Sequence, residues 1–100
     1  VRLRANQVNG VTVVKVLFSH PMETGRRVDA RTGEVIPAHF IEKVAIALNS
    51  EVLCTADWGP AVSKNPYLSV ELNGANPGDT VEVSWQDNIG QFGSASSIIR

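Results

Sequence analysis

The sequence predicts an all-β fold. Apolar and polar residues alternate over most of the chain, turn-forming Gly, Pro and Asn residues recur at short intervals, and no stretch keeps a helical period. About seven short antiparallel strands separated by such turns are typical of an immunoglobulin-like β-sandwich. The only cysteine is Cys54, so the chain has no internal disulfide, and we expect apolar packing alone to hold the two sheets together.

The first two predicted strands flank an Asn-Gly turn. Val1–Ala5 alternates apolar and charged residues, as an edge strand does. Asn9 and Gly10 then favour a tight hairpin turn. The segment Thr12–Phe18 is rich in β-branched residues and nearly continuous in apolar ones. This pattern predicts a strand that is central in its sheet or buried on both faces.

Two more strands are predicted in the middle of the chain. The strand Phe40–Leu48 has apolar residues on both faces, so we expect both faces to be mostly covered. Strict alternation would place Ile41 on the face opposite Val44. A polar turn leads into the strand Val52–Ala56, where we expect Cys54 to be a small buried apolar residue.

The last part of the chain is the most regular. Leu68–Leu72 alternates inward-facing apolar residues with polar ones, and a turn centred on Gly78 follows. Thr80–Trp85 alternates in the same way. Asp87–Gly90 predicts another hairpin turn, and Phe92–Ile99 predicts a final strand of small residues.

Length and composition limit the classes of function. One hundred residues, 43% of them hydrophobic, predict a single domain that spans residues 1–100 and has a real core. A formal net charge of −1 provides no long-range field to attract nucleic acid or an anionic membrane. No apolar run approaches the roughly 20 residues that cross a bilayer. We therefore expect neither nucleic acid nor a membrane as a partner.

The chain offers few groups for catalysis or for a metal. A blue-copper centre needs two His, one Cys and a weak Met ligand, and the chain contains His20, His39, Cys54 and Met22. In such centres the Cys, His and Met usually follow one another on a single loop, whereas no His or Met follows Cys54. Paired carboxylates, a zinc ligand set and a glycine-rich phosphate loop are also missing. We predict no catalytic residue, metal or cofactor, and a small copper electron-transfer protein is the less favoured alternative.

Two irregular segments, 20–40 and 58–68, interrupt the predicted strands, and loops of this kind usually carry function. Met, Trp and Tyr are favoured at interfaces between proteins. Six residues of these loops are our candidates for contact with a partner: His20, Met22, Trp58, Lys64, Asn65 and Tyr67. A structural interpretation stands beside each one. His20 could satisfy its ring at the end of a strand, and the aromatic pair could close one end of the sandwich.

Four motifs carry a resemblance to a known family. They are HPMETG at 20–25, GEVIPAHFI at 33–41, WGPAVSKNPYL at 58–68 and GDTVEVSWQDN at 78–88. With these motifs in order over most of its length, the chain resembles the SoxZ family. These proteins are the small subunits of the SoxYZ carrier complex, which takes part in thiosulfate oxidation in sulfur-oxidising bacteria.

The resemblance implies a non-catalytic subunit. In that family SoxZ pairs with SoxY, whose mobile glycine-rich arm carries sulfur intermediates on a cysteine and presents them to the enzymes of the pathway. For this chain it implies a heterodimer with a SoxY-like subunit, transient contacts with the Sox enzymes and a periplasmic location. The sequence begins at Val1 in strand-like residues, so we expect export together with a leader-bearing partner. A stand-alone immunoglobulin-like binding module is the alternative.

Overall fold

Seven antiparallel strands form the framework of the protein. The computed structural model describes residues 1–59 and 61–100, so Pro60 of the second loop lies outside it. The strands are β1 (Arg2–Val8), β2 (Val11–Leu17), β3 (Ile41–Leu48), β4 (Glu51–Asp57), β5 (Tyr67–Leu72), β6 (Thr80–Asp87) and β7 (Phe92–Ile98). The predicted all-β class and number of strands are confirmed. Within the described residues, no helix has the length and apolar character needed to span a membrane.

The strands form two sheets, in the order β1-β2-β5 and β4-β3-β6-β7. The turn from β1 to β2 passes through Asn9 and Gly10, which both have positive φ, as the Asn-Gly signal predicts. Strand β2 is central in the smaller sheet, in agreement with its apolar sequence. The two sheets join at β1 and β7, where the backbone of Arg100 exchanges hydrogen bonds with Ala5 and Gln7.

Branched aliphatic side chains fill the space between the sheets. Because successive residues of a strand point to opposite faces, every second residue of each strand can reach this core. Its fully buried aliphatic and aromatic members are Val14, Val16, Phe18, Ile41, Val44, Ile46, Val81, Val83 and Ile99. Each such side chain contributes about 1.5–3 kcal/mol through removal from water. This core is the main support of a sandwich that has no disulfide.

Our expectation that Ile41 faces away from Val44 is wrong. Ile41 is completely buried and belongs to the same core cluster as Val44 and Ile46. The pairing of β3 with β6 shifts register between Ile41 and Lys43. A bulge of this kind inserts one extra residue and re-aims the side chains before it. Simple alternation therefore fails at the first residue of β3.

Strand β4 is exposed along almost its whole length, and our expectation of a buried Cys54 is also wrong. Cys54 pairs with Ile46, which is 1% exposed, so it lies on the core-facing side of the sheet. The thiol is nevertheless exposed. Strand β4 is the edge strand at the end of its sheet opposite β7, away from the edge where the two sheets join. The smaller sheet leaves this strand uncovered.

Residues 22–40 form an irregular hairpin, which we call the hairpin arm. Two isolated bridges, Glu23 with His39 and Val28 with Val35, hold its two halves together. Both valines are more than half exposed. The molecule measures 52 × 21 × 16 Å, so it is elongated. The first predicted loop is thus an extended hairpin that projects from the sandwich.

Candidate functional site

Three side chains that are distant in sequence meet at the base of the hairpin arm. The Nε2 atom of His20 lies 3.2 Å from Oδ2 of Asp87, and Nε2 of His39 lies 2.8 Å from the same oxygen. The two imidazole rings stand edge to face with their centroids 4.4 Å apart. We call this group the histidine clamp. It joins His39, at one end of the arm, and His20, two residues before the other end, to Asp87 of the sandwich.

The strand topology explains why these residues converge. His20 follows the end of β2, His39 precedes β3, and Asp87 is the last residue of β6. Antiparallel pairing of β3 with β6 places Ile41 opposite Asp87, which brings the start of one strand beside the end of the other. Residues near these strand ends are held by the sheets themselves. The clamp is therefore positioned by rigid elements.

The hydrogen bonds of the clamp define which ring nitrogens carry protons. The backbone N–H of Met22 donates to Nδ1 of His20 at 3.1 Å, so Nδ1 must offer its lone pair. The proton of His20 is then on Nε2 and is donated to Asp87. The Nε2 of His39 has only acceptors beside it, Oδ2 of Asp87 and Oε1 of Gln91, so it also carries a proton.

Asp87 is an ionised carboxylate in the interior, only 1% exposed. Its burial acts to raise the pKa of the carboxyl, because water no longer solvates the charge. Hydrogen bonds from His20, His39 and the backbone N–H groups of Gln91 and Ile89 act in the opposite direction. They outweigh burial and hold the pKa of Asp87 below its usual range. The carboxylate is thus a fully occupied acceptor.

A metal ion is the obvious alternative occupant of this cluster. One potential ligand atom from each of His20, His39 and Asp87 lies within 4.8 Å of the others, and two His with one carboxylate is a known ligand set for iron. An ion would need the lone pair of His20 Nε2, however, which would move the proton to Nδ1. There it would oppose the N–H of Met22. The donor pattern fits a hydrogen-bonded clamp and does not fit a metal centre.

The four potential copper ligands do not come together. Cys54 is aligned across β3 with Val83, four residues before Asp87 on β6. At about 3.3 Å per residue, Cys54 lies at least about 13 Å along the sheet from the clamp. Ligands of one ion must lie far closer to each other. This spacing rules out a copper site that uses Cys54.

Met22 lies inside the protein, where it connects the clamp to β3. It is 5% exposed, and its φ of 50° is unusual for a residue other than Gly or Asn. Its N–H binds His20, and its Sδ atom accepts a hydrogen bond of 3.3 Å from the N–H of Ile41. These contacts account for the left-handed backbone. His20 and Met22 therefore have structural roles in the interior, and contact of either residue with a partner stays a prediction.

The second predicted loop is tied to the clamp through Asn65. Its Oδ1 accepts a hydrogen bond from the N–H of His20 at 3.0 Å, and its own N–H donates to the carbonyl of His20 at 2.9 Å. Lys64 and Tyr67 are exposed. Trp58 is half-buried and packs edge to face on Phe18 with ring centroids 5.2 Å apart. Trp58 helps to close the sandwich. Partner contacts by Trp58, Lys64, Asn65 and Tyr67 stay predictions.

Asp87 and Asn88 hold the clamp region together, and the sequence alone did not single them out. Asn88 donates from Nδ2 to the carbonyl of Ala38 at 2.8 Å and accepts at Oδ1 from the N–H of Phe40 at 2.8 Å. From the sequence, this segment predicts only a turn, because Asp and Asn are common in turns. The one available signal was a motif that ends in Asp-Asn. All four motifs contribute residues to this end of the molecule.

Comparison with known proteins supports the resemblance noted in the sequence. A family model described as sulphur oxidation protein SoxZ matches residues 1–97. The match covers nearly the whole chain and includes all four motifs. No curated protein sequence matches the chain.

Proposed function

The chain belongs to the SoxZ family of sulphur oxidation proteins, and from this premise we propose that it is the non-catalytic subunit of a SoxYZ-type sulfur carrier complex. The observation that carries the proposal is the family match over residues 1–97. In such a complex the partner holds the sulfur intermediate on its own cysteine. This chain completes the fold of the carrier and helps to present it to the Sox enzymes.

The chemistry of the described residues favours a non-catalytic role. His20 is 5% exposed and Asp87 is 1% exposed, and their polar atoms are occupied by partners within the protein. A substrate would have to displace these hydrogen bonds to reach either group. Cys54 lies in the middle of β4 and is paired with Ile46 of β3, so it does not have the reach of a mobile carrier arm.

The proposal includes the partner and the compartment. The partner is a SoxY-like subunit that bears the carrier cysteine, and the two subunits are exported together to the periplasm. The Sox enzymes bind the complex transiently, because each must release it for the next. These points are part of the proposal, and the resemblance to the SoxZ family is what suggests them.

Native mass spectrometry of this chain co-expressed with a SoxY subunit tests the proposal. We expect a 1:1 complex and, after incubation with thiosulfate and an oxidising Sox enzyme, added mass on the partner alone. Cys54→Ser should load the partner to the same extent, because this thiol carries no sulfur. Added mass on Cys54 would contradict the division of roles. A free monomer beside an unpaired SoxY would favour the stand-alone binding module.

A further inference from the structure

The edge formed by β4 is the least covered part of the sandwich. Six of its seven residues are exposed, and the remaining one, Ala56, is only half-buried. Ala56 pairs with Val44 and Cys54 pairs with Ile46, both of them core residues. Side chains on the core-facing side of β4 should therefore be covered by something. The second sheet, which has one strand fewer, leaves them open.

The exposed residues of β4 form a consecutive apolar run with acidic ends. Val52 is 58% exposed and Leu53 is 45% exposed, and Cys54 follows them. Glu51 and Asp57 close the strand at its two ends. Among the described residues neither carboxylate forms an ion pair, since the salt bridges involve only Glu23 and Asp87 as acids. The strand contains no Lys, Arg or Pro; the features that protect its edge are the two terminal acids and the register shift opposite Ile46 and Ala47.

The total surface is large for the mass of the chain. The accessible surface is 6465 Å² at a mass of 10.8 kDa, whereas a folded monomer of this mass exposes about 5,500 Å². Both the hairpin arm and the uncovered β4 contribute to the excess of about 900 Å². One side of a standard protein–protein interface buries about 800 Å². The excess is of the size that a stable heterodimer would cover.

We infer that the β4 edge is the surface on which the carrier subunit docks. The inference rests on the proposed function, because it takes the SoxY-like subunit as the occupant. That subunit should place apolar side chains over Val52, Leu53 and Cys54. A basic group of the partner should lie beside Glu51, which forms no ion pair among the described residues, whereas Asp57 lies directly across the strand pair from Lys43.

Cys54 is the only cysteine of the chain and lies within the proposed surface, so its alkylation rate reports on coverage. We would measure modification by N-ethylmaleimide for the chain alone and for its complex with a SoxY subunit whose cysteines are replaced by serine. We expect Cys54 to react at least tenfold more slowly in the complex. As a control, Ser94→Cys in a Cys54→Ser background should react equally fast in both forms. Ser94 is exposed on β7, the strand at the opposite end of the sheet.

A pair of matched substitutions gives a second measurement. Leu53→Asp should weaken binding of SoxY at least tenfold, whereas Phe92→Asp should leave it unchanged. Phe92 is even more exposed, at 82%, but lies on β7. An intact complex in which Cys54 reacts as fast as in the free chain would overturn the docking surface and leave the proposed function standing. Failure of the wild-type chain to form any complex would overturn both.

Discussion

Asp87 shows how one buried charge can hold separate segments of a chain together. A carboxylate without water is costly unless its hydrogen bonds are complete. Here two imidazole N–H groups reach Oδ2, and the backbone N–H groups of Ile89 and Gln91 reach Oδ1. Four donors thus converge on one acidic group at the base of the hairpin arm. Removal of the charge should affect the stability of the whole sandwich.

Asp87→Asn should destabilise the protein by about 2–4 kcal/mol, because an amide of the same size opposes some of these donors with its own N–H₂ group. The midpoint of urea unfolding at neutral pH measures the loss. Glu82→Gln is the matched control, since Glu82 is an exposed acid on the same strand. It should change stability by less than about 0.5 kcal/mol. Equal losses in the two variants would show that the clamp contributes nothing.

The same residue predicts an acid-sensitive component of stability. The pKa of Asp87 is lower in the folded protein than the value of about 3.9 expected in the unfolded chain. In the pH range between the two values the unfolded chain binds more protons, so stability increases with pH. This contribution is complete above the unfolded pKa and disappears as pH falls through the folded one. Between pH 5 and pH 3 the wild type should therefore lose more stability than Asp87→Asn, as followed by urea midpoints.

Residue-level prediction from the sequence succeeded where a residue acts through its neighbours along the chain. The Asn9-Gly10 turn is such a case, because its conformation depends on local sterics. The clamp is different, since His20 and Asp87 are 67 positions apart. The prediction that Cys54 is buried was wrong for a related reason. Its burial depends on whether the other sheet covers β4. The identity of one residue does not show which residues far away in the sequence will lie beside it.

At the scale of elements, strands β6 and β7 show how a sheet adapts to one large side chain. Trp85 on β6 pairs with Gly93 on β7. A Cβ atom built on Gly93 would lie 2.9 Å from Nε1 of Trp85 and 3.0 Å from two of its ring carbons. The indole also packs edge to face on the ring of His20, with centroids 5.8 Å apart. The absence of a side chain at Gly93 therefore leaves room for the indole of Trp85. In that position the indole packs on His20 of the clamp.

Gly93→Ala should destabilise the protein by about 1–3 kcal/mol, because the indole must leave its position to make room for the methyl group. Gly59→Ala is the matched control, since, apart from its chain neighbours, no described residue has an atom within 4 Å of a Cβ built there. Urea midpoints of both variants measure the difference. A near-UV circular dichroism change confined to Gly93→Ala would locate the effect at the aromatic cluster. Similar midpoints for the two variants would contradict the role of Gly93.

Element boundaries were predictable to the extent that alternation was regular. Strand β6 follows its alternating sequence, with Val81 and Val83 completely buried. Strand β3 does not, because the register shift between Ile41 and Lys43 interrupts the period. Bulges leave no reliable mark in a single sequence. The fold class could therefore be predicted from the sequence. Whether each strand residue points to the core or to the solvent could not be predicted at every position.

At the scale of the whole molecule, the hairpin arm is structurally distinct from the sandwich it projects from. Between residues 24 and 37, every described hydrogen bond joins two groups within the arm. Its outer part buries little apolar surface, since Val28 and Val35 are 53% and 58% exposed. The arm should therefore be dispensable for folding of the sandwich, although its base is held by the clamp.

Replacing residues 28–35 by an Asn-Gly turn tests this independence. The N–H of Ile36 already donates to the carbonyl of Arg27 at 2.8 Å, so a two-residue turn can close the shortened hairpin. We expect the free energy of unfolding to change by less than about 1 kcal/mol, measured from urea midpoints. A loss above about 2 kcal/mol would mean that the outer arm supports the sandwich. The unmodified chain at the same pH is the reference.

The uncovered β4 edge also has a consequence for copies of the chain that have no partner. An exposed apolar strand edge is a template for pairing with other chains, and such association accelerates with concentration because it needs two molecules to meet. Copies of the chain that outnumber the protein bound at β4 would associate with each other and leave solution. With the proposed SoxY-like subunit as the occupant of β4, we expect the amount of this chain that stays in solution to follow the amount of that subunit.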